Sequence, residues 1–419
     1  MNFLANPEKR KWVIVVTIFI AIICNYLDRQ LLSILKPTIK AAFDMNDDGY
    51  AFIVNIFLIC YAVMYPISGI LVDKFGPKKV MFFGILAWSA ACIGGGLSSN
   101  MEQFAFFRGL LGLAEPTIFA GQIVAVTVWF EKRQRATANS LCTAGGSIGT
   151  VVAPIVIAWL STLFPWNDVF VLAGGIGILI AVVWIFVYTN PPKEILDVTL
   201  NESAANQQHG KAFSWGGLWK TRTLWGVLLI RFVSDPVWYF CLFWLPGYLQ
   251  EDSGLTLIQV GWVGWIPFLF GAVGGVLTSA WSDKMVRKGM DPLRARKRMM
   301  TLVAIAAPLC ILTPYFNELP PYWNVAAIIA SFSLIAIMCL SWLYTICVVI
   351  AEAFPVRNVA SVVGITAGFG AVGGAIFNYY VGQLLSTMGS ALFLVMGVLH
   401  WIAVLILWKM TRPEIPQEK

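Results

Sequence analysis

Six ionisable side chains lie inside long apolar stretches of this sequence. They comprise three bases and three acids: Asp28, Arg29, Arg108, Glu115, Arg231 and Asp235. In apolar segments of the roughly 20 residues that cross a bilayer, a charge costs at least ~2.5–3.5 kcal/mol unless it has a partner, water or a task. Because acids and bases are equal in number, these charges can neutralise one another.

Spacing along a helix restricts which of these groups can pair. Asp28 and Arg29 are adjacent, so on a helix they point about 100° apart and each must face something else. Arg108 and Glu115 lie two helical turns apart on one face of the segment RGLLGLAE. The glycines between them leave room beside that face for a neighbouring helix or a ligand.

These residue types suit the joint handling of an anion and protons. An Arg offers a fixed positive charge and a forked donor for a carboxylate, and a carboxyl group in a low-dielectric environment can carry a proton. We therefore interpret Asp28 and Glu115 as proton-coupling residues, and Arg29 and Arg108 as substrate-binding residues. The alternative is that these ions only hold helices together.

The third acid and base have a simpler interpretation. Arg231 and Asp235 are four residues apart, which is the spacing of an intrahelical ion pair. We predict that they form a buried ion pair, and a purely structural role is as good an explanation for it as a functional one.

Polar and aromatic side chains in other apolar stretches suit a ligand rich in hydroxyl groups. We predict that the following side chains bind the substrate: Tyr61, Trp238, Tyr239, Ser341, Thr345, Thr366 and Asn378. Trp and Tyr are also frequent at membrane interfaces, so each aromatic residue has that alternative explanation. We expect neither His209 nor His400 to relay protons.

The composition indicates which elements hold these residues in place. Of 419 residues, 58% are hydrophobic and 12% are charged, whereas a soluble domain carries roughly a quarter charged residues. Apolar runs and their breakers predict twelve helices, near 12–34, 51–72, 79–98, 101–130, 136–161, 168–190, 223–249, 257–281, 299–316, 322–351, 359–386 and 388–410. The predicted fold class is therefore an all-α polytopic membrane protein with twelve transmembrane helices.

A polar segment near the midpoint divides these helices into two sets of six. We predict an N-terminal six-helix bundle at 1–190, a cytoplasmic central loop at 191–222 and a C-terminal six-helix bundle at 223–419. A weak internal repeat supports two related halves, because GILVDKFGPKK between the second and third helices recurs as GVLTSAWSDKM between the eighth and ninth.

The positions of the 29 Lys and Arg residues predict an orientation. All but five lie at the N-terminus, in the C-terminal tail or in loops on that same side; Lys36 and Lys40 lie on the opposite side, and three arginines lie inside helices. Because cytoplasmic loops carry the excess of positive charge, both termini are predicted to be cytoplasmic. These residues form no single basic stripe, so we expect no nucleic-acid partner.

Several classes of protein find no support in this sequence. The 8 Cys residues lie in apolar stretches without CxxC or metal-ligand spacing, so we expect neither a metal nor a disulfide. The Gly-rich stretches at 145–149 and 368–374 are not followed by a Walker-type Lys, and they suit close helix packing better than phosphate binding. In the absence of a nucleophile triad or a cofactor signature, we expect no enzyme and no cofactor.

Two motifs resemble those of a known superfamily. GILVDKFGPKK resembles the cytoplasmic signature of the major facilitator superfamily, and RGLLGLAE resembles its fourth-helix pattern RxxxGxxE. The first resemblance places Gly69, Asp73, Gly76 and Lys78 in a gating motif. Lys78 lies in a Pro-Lys-Lys run where the family usually has an Arg, a change that should affect cytoplasmic gating more than substrate choice.

A narrower resemblance covers the whole chain. The segments NYLDR, RGLLGLAEP, SIGTVVAP and RFVSDPVWYFCLFWLPGYL are similar to those of the bacterial hexuronate transporters of the anion:cation symporter family. That likeness implies the major facilitator fold, alternating access and inward symport of an organic anion with protons. It also implies that Asp28 and Glu115 carry protons, that Arg29 meets the substrate carboxylate, and that Tyr61 faces the substrate.

The sequence thus predicts a secondary active transporter that takes up a sugar-acid anion, first of all a hexuronate, together with protons. Two alternatives stay open: import of another organic anion (a hexonate, monocarboxylate, dicarboxylate or pantothenate), and a membrane receptor without transport. We expect a monomer in the plasma membrane, the inner membrane of a bacterium, whose partners are the lipid bilayer, the small anion and protons.

Overall fold

The computed structural model describes residues 6–192, 213–320 and 322–413. All regular elements in these ranges are helices, and twelve of them are long and apolar enough to cross a membrane: α1 Pro7–Ile34, α2 Asp47–Phe75, α3 Pro77–Gly96, α4 Met101–Trp129, α5 Thr137–Leu163, α6 Trp166–Val187, α7 Arg222–Phe243, α8 Leu257–Arg287, α9 Pro292–Phe316, α10 Trp323–Ala353, α11 Ser361–Leu385 and α12 Ser390–Met410. The predicted all-α class with twelve spanning helices is confirmed. Short helices follow α1 at Lys36–Ala42 and α7 at Leu245–Glu251.

Helix starts coincide with polar residues that satisfy the first unpaired backbone N–H groups. The Asn100 side chain accepts a hydrogen bond of 2.9 Å from the backbone N–H of Gln103 at the start of α4. The Asp291 side chain accepts one of 2.8 Å from Arg294, and Pro292 occupies the first helical position of α9. Such caps fix where an apolar helix begins, because uncapped N–H groups are costly away from water.

The predicted gating motif spans the end of α2, the turn at Gly76 and the start of α3. Gly76 has φ +79°, a left-handed conformation that disfavours any side chain, and its N–H donates to the Val72 carbonyl at 2.8 Å. The Lys78 carbonyl accepts a hydrogen bond of 3.0 Å from Nε1 of Trp184, a fully buried residue of α6. Asp73 is exposed. Hydrogen bonds to the backbone of this segment thus hold the turn, and the role of the motif in gating stays a prediction.

The chain divides into two compact units. The first comprises Met1–Leu32 and Ile56–His209, and the second comprises Ser33–Asn55 and Gly210–Lys419. In the first unit α3 packs closely against α4 and α6, and in the second α8 packs against α10. Residues 193–212, most of the predicted central loop, lie outside the described residues. The predicted domain limits at 190 and 222 therefore stay a prediction.

The second unit includes a cluster of four charges that we call the lysine cluster: Lys36, Lys40, Asp47 and Glu251. Nζ of Lys36 lies 2.5 Å from Oε2 of Glu251 and 2.8 Å from Oδ1 of Asp47, and Nζ of Lys40 reaches the same two carboxylates. Lys36 is fully buried, with its ammonium over the Trp244 ring at 4.6 Å. Burial disfavours the charged form of Lys40, but its hydrogen bonds to both acids outweigh burial and raise its pKa.

We expect Lys36→Met to destabilise the protein far more than Lys40→Met. The Lys36 ammonium has no access to solvent and contacts both acids, whereas the Lys40 side chain is 20% exposed. Removal of one partner from a buried ion pair costs ~3–5 kcal/mol. Asp47 and Glu251 still contact Lys40 and some solvent in the Lys36 variant, so the cost should be smaller. We expect the free energy of unfolding to fall by about 2–3 kcal/mol for Lys36→Met and by under ~1 kcal/mol for Lys40→Met. Thermal unfolding of both variants in detergent measures the difference, and equal midpoints would contradict this assignment.

Candidate functional site

Helices α1 and α4 bring four of the six predicted charged residues together in the first unit. Asp28 and Arg29 lie near the end of α1, and Arg108 and Glu115 lie in α4. Their exposed fractions are 1%, 6%, 5% and 0% respectively, so water cannot supply the solvation that their charges require. The charges must be balanced within the protein. We call these four residues the charge cluster.

The central contact of the charge cluster joins α1 to α4. Nη2 and Nε of Arg29 lie 2.5 and 3.1 Å from Oε2 of Glu115. Glu115 directly follows the helical segment Met101–Ala114, and α4 resumes at Thr117, because Pro116 has no N–H to continue the helix. Arg108 and Glu115 share a helical face, as their spacing predicts, but the ion pair forms between different helices.

Close packing of α2 against α4 surrounds Arg29 with aromatic rings. A Cβ atom at Gly112 would lie 2.5 Å from the carbonyl oxygen of Phe57, so only glycine allows this approach. The Arg29 guanidinium lies 5.4 Å from the ring centre of Phe57, 4.8 Å from that of Tyr61 and 5.0 Å from that of Tyr26. Cation–π attraction holds the guanidinium in place without a second carboxylate.

Asp28 and Arg108 form the other half of the charge cluster. Nη1 of Arg108 lies 3.4 Å from the backbone carbonyl of Asp28, and the guanidinium stacks near Phe104 and Phe170. The thiol of Cys92 on α3 lies 3.8 Å from Oδ1 of Asp28.

Each acid of the charge cluster keeps one oxygen atom that has no hydrogen-bond partner among the described residues. These atoms are Oδ2 of Asp28 and Oε1 of Glu115. A buried carboxylate oxygen without a donor is costly when ionised. It is a position that a proton can occupy.

The second unit contains the remaining acid and base. Nε and Nη2 of Arg231 both lie 2.7 Å from Oδ2 of Asp235, the intrahelical contact that their spacing allows. Thr345 and Thr366 are each 1% exposed, and within the described ranges their hydroxyl oxygens have no hydrogen-bond partner. These hydroxyls are polar groups that a ligand or water could satisfy.

The other predicted substrate-binding residues of the second unit already have protein partners. The Asn378 amide donates to the Ala51 carbonyl and to Asn55, both at 2.9 Å, and accepts from Nε1 of Trp244 at 2.6 Å. The hydroxyls of Ser341 and Thr278 lie 2.6 Å apart. In this structure Asn378 and Ser341 therefore stabilise helix packing.

The two predicted aromatic residues of α7 pack against other rings. Trp238 packs edge-on against Phe268 with 6.0 Å between ring centres, and Tyr239 stacks on Phe243 at 6.1 Å. Both Trp238 and Tyr239 are half-buried, so part of each side chain is open to a ligand.

Sequence reasoning missed five residues that contact the charge cluster: Tyr26, Phe57, Cys92, Phe104 and Phe170. Tyr26 lies one helical turn before Arg29, and Phe57 lies one turn before Tyr61; helical spacing alone could have identified both. Nothing in the sequence marks Cys92, because its contact with α1 is set by the packing of α3. Among the described residues no group of three His, Cys, Asp or Glu side chains could hold a metal ion.

Twelve spanning helices with a buried, balanced charge cluster define a multi-pass membrane protein. The sequence pattern of the Major Facilitator Superfamily matches residues 18–377. The chain therefore belongs to the Major Facilitator Superfamily.

Several transporters of sugar acids are similar to the chain over most of their length. The hexuronate transporter of Escherichia coli (strain K12) is 25% identical over 408 residues, which cover 95% of this chain and 93% of that protein. A probable galactarate/D-glucarate transporter of the same strain is 27% identical, with 96% and 94% covered. The D-galactonate transporter of Escherichia coli O6:H1 is 28% identical, with 75% and 77% covered.

Solved structures share the fold. A D-xylose-proton symporter superposes with a TM-score of 0.76 at 11% identity, covering 96% of this chain and 98% of that one. A bacterial homolog of the human lysosomal transporter Spinster gives 0.75 at 16% identity, with 96% and 97% covered. The superfamily match and the sugar-acid transporters above confirm that this chain is a transporter related to sugar-acid transporters and not an enzyme.

Proposed function

We propose that this protein imports a sugar-acid anion, first of all a hexuronate, by symport with protons in an alternating-access cycle. The observation that carries the proposal is the ion pair between Arg29 and Glu115, buried in the first unit beside a second acid and a second base. Such a symporter needs a cation that binds a carboxylate and an acid that binds a proton. The Arg29 guanidinium can donate two hydrogen bonds to a carboxylate, and the Glu115 carboxylate becomes neutral when it is protonated.

Charge balance couples the anion to the proton. When all four residues of the charge cluster are ionised, their formal charge is zero. A substrate carboxylate on Arg29 takes the place of Glu115 and adds one negative charge, and an uncompensated buried charge costs several kcal/mol. A proton on Glu115 restores neutrality, so we propose that each monoanion enters with one proton. Asp28 is the second group that can hold a proton.

The proposed substrate class follows from the named relatives and from the residues around the cluster. The relatives are named for hexuronates, D-galactonate and galactarate or D-glucarate, all of them carboxylates with several hydroxyl groups. We propose that Arg29 and Arg108 bind the carboxylate and that Tyr61 contacts the sugar. In the second unit, we propose the α7 aromatics and the hydroxyls of Thr345 and Thr366 as groups that a sugar can contact. We further propose a bacterial inner-membrane location with both termini in the cytoplasm, and a monomer.

Uptake into proteoliposomes tests this function. Labelled glucuronate and galacturonate should accumulate when the pH outside is lower than inside, and one proton per monoanion supports about tenfold accumulation for each unit of pH difference. Uptake without a pH difference should only equilibrate. Sugar acids should compete, whereas lactate and pantothenate should not.

Other outcomes of the same assay distinguish the alternatives. Competition by lactate or pantothenate without hexuronate flux would keep the mechanism and replace the substrate. Saturable binding of a sugar acid without any flux would support a receptor and overturn the proposal.

A further inference from the structure

The surface of the first unit has a long groove that the proposed transport function does not use. It has a volume of about 620 Å³ and runs over α3 between α2 and α4. Small residues of α3, Gly84, Ala87 and Ala91, form its floor, and larger side chains such as Phe75 and Phe107 form its walls. Its walls come from spanning helices and several wall residues are exposed, so the groove is open at the apolar surface of the unit.

The dimensions of the groove match one leaflet of a bilayer. Along α3 it runs from Lys79 to Ala91, and twelve helical steps of about 1.5 Å give a length of roughly 18 Å. Half of a hydrocarbon core of ~30 Å is ~15 Å. A lipid acyl chain that lies along this groove would therefore stay within a single leaflet.

The polarity of the groove changes along its length. Its lining is apolar except for Lys79 at one end and Thr117, and the Thr117 hydroxyl already donates to the Ala114 carbonyl at 2.7 Å. Lys74 lies at the same end of the groove as Lys79, because its ammonium lies 5.3 Å from the ring centre of Phe75, a wall residue. Lys74 and Lys79 are both exposed, and residues 73–79 include three lysines and one aspartate.

We propose that this groove binds one anionic phospholipid, with an acyl chain over Gly84, Ala87 and Ala91 and the phosphate of its headgroup beside Lys74 and Lys79. The groove is apolar over about the thickness of one leaflet and positively charged at one end, so it complements an anionic lipid. Basic pockets between membrane helices are recognised as sites for anionic headgroups. The headgroup of the bound lipid would lie beside the predicted gating motif.

The first test locates the lipid. The full chain is reconstituted with phosphatidylglycerol that carries a photoreactive group in its acyl chain, and adducts are mapped by mass spectrometry. We expect adducts on the groove, within 83–91 and 107–113. Ala87→Phe fills the floor at an exposed position and should remove these adducts, and Ala90→Phe offers a second way to fill it. Ala330→Phe, at an exposed position of α10, is the matched control and should retain them.

The second test separates headgroup recognition from general lipid contact. Affinity for phosphatidylglycerol and for zwitterionic phosphatidylcholine is measured by native mass spectrometry on the intact protein. Lys74→Gln with Lys79→Gln should weaken phosphatidylglycerol binding by about fivefold for each lysine and leave phosphatidylcholine unchanged. Lys284→Gln with Lys288→Gln removes the same charge elsewhere and should have no effect.

Three results would overturn the proposal. Adducts spread evenly over the lipid-facing helices would show that the groove has no special affinity. An equal effect of both lysine double variants would show only a general charge effect. Dimers whose cross-links map to the groove would show that a second copy of this chain occupies it.

Discussion

Replacement of Glu115 by Gln should abolish accumulation of a sugar acid against its gradient while exchange of substrate across the membrane continues. A neutral amide resembles the protonated acid, so Arg29 is released for the substrate carboxylate in every step of the cycle. The variant can therefore bind and move the anion, but it has no proton to exchange at this position. In proteoliposomes with an inward proton gradient, the accumulation ratio should fall from about ten per pH unit to about one.

Asp235→Asn is the matched control for this prediction. Asp235 is also a buried acid paired with an Arg, at 2.7 Å, but its partner is on the same helix in the second unit. If Arg231 and Asp235 only satisfy each other, the control should keep its response to the proton gradient even when it is less stable. A Glu115→Gln protein that still concentrates substrate would exclude Glu115 as the essential proton carrier and would leave Asp28 as the candidate.

Replacement of Arg29 by Lys should weaken substrate binding by about 10- to 100-fold. Lys keeps the charge but loses the fork that can hold two carboxylate oxygens, and one charge-assisted hydrogen bond contributes ~1.5–3 kcal/mol. The compact ammonium also loses the planar contact with the rings of Tyr26, Phe57 and Tyr61. Calorimetry with glucuronate, or the half-saturating concentration for exchange, measures the change.

Arg231→Lys provides the comparison, because it makes the same substitution in an ion pair that lies within one helix. Its substrate affinity should change by less than about threefold, which is well below the loss expected when one charge-assisted hydrogen bond is removed. Thermal unfolding of both variants shows whether a loss of affinity is only a loss of folded protein. If a well-folded Arg29→Lys protein binds substrate as the unmodified protein does, Arg29 is not part of the anion site.

Local patterns were sufficient to identify the spanning helices and the residues of the charge cluster. The length of an apolar run is fixed by bilayer thickness, and a charge inside such a run is conspicuous because it is costly. For the same reason Asp28, Arg29, Arg108 and Glu115 could be selected before any contact was known. Arg231 and Asp235 could even be paired, since both lie on one helix and spacing alone brings them together.

Contacts between helices could not be read in the same way. Three contacts join segments that are distant in sequence: Arg29 with Glu115, the thiol of Cys92 with Asp28, and Lys36 with Glu251. Nothing in the sequence indicated that the Asn378 amide joins α11 to the start of α2, and its contact with substrate stays a prediction. A polar residue in a spanning helix predicts that a partner is needed, but the sequence does not identify that partner.

The sequence by itself determined that this protein crosses a membrane twelve times, that it belongs among transporters and that six buried charges must be balanced. The number of crossings and the balance of charge depend on hydrophobicity and charge, which are properties of single residues and short windows. The transporter class depends on short motifs that resemble those of the major facilitator superfamily. The tertiary structure alone decided which acid pairs with which base, which buried hydroxyls have no protein partner among the described residues and where an apolar surface groove forms. Those features depend on how closely two helices approach, and one atom can decide that distance. Gly112 lacks a Cβ atom, and this absence allows its helix to approach the Phe57 carbonyl of α2.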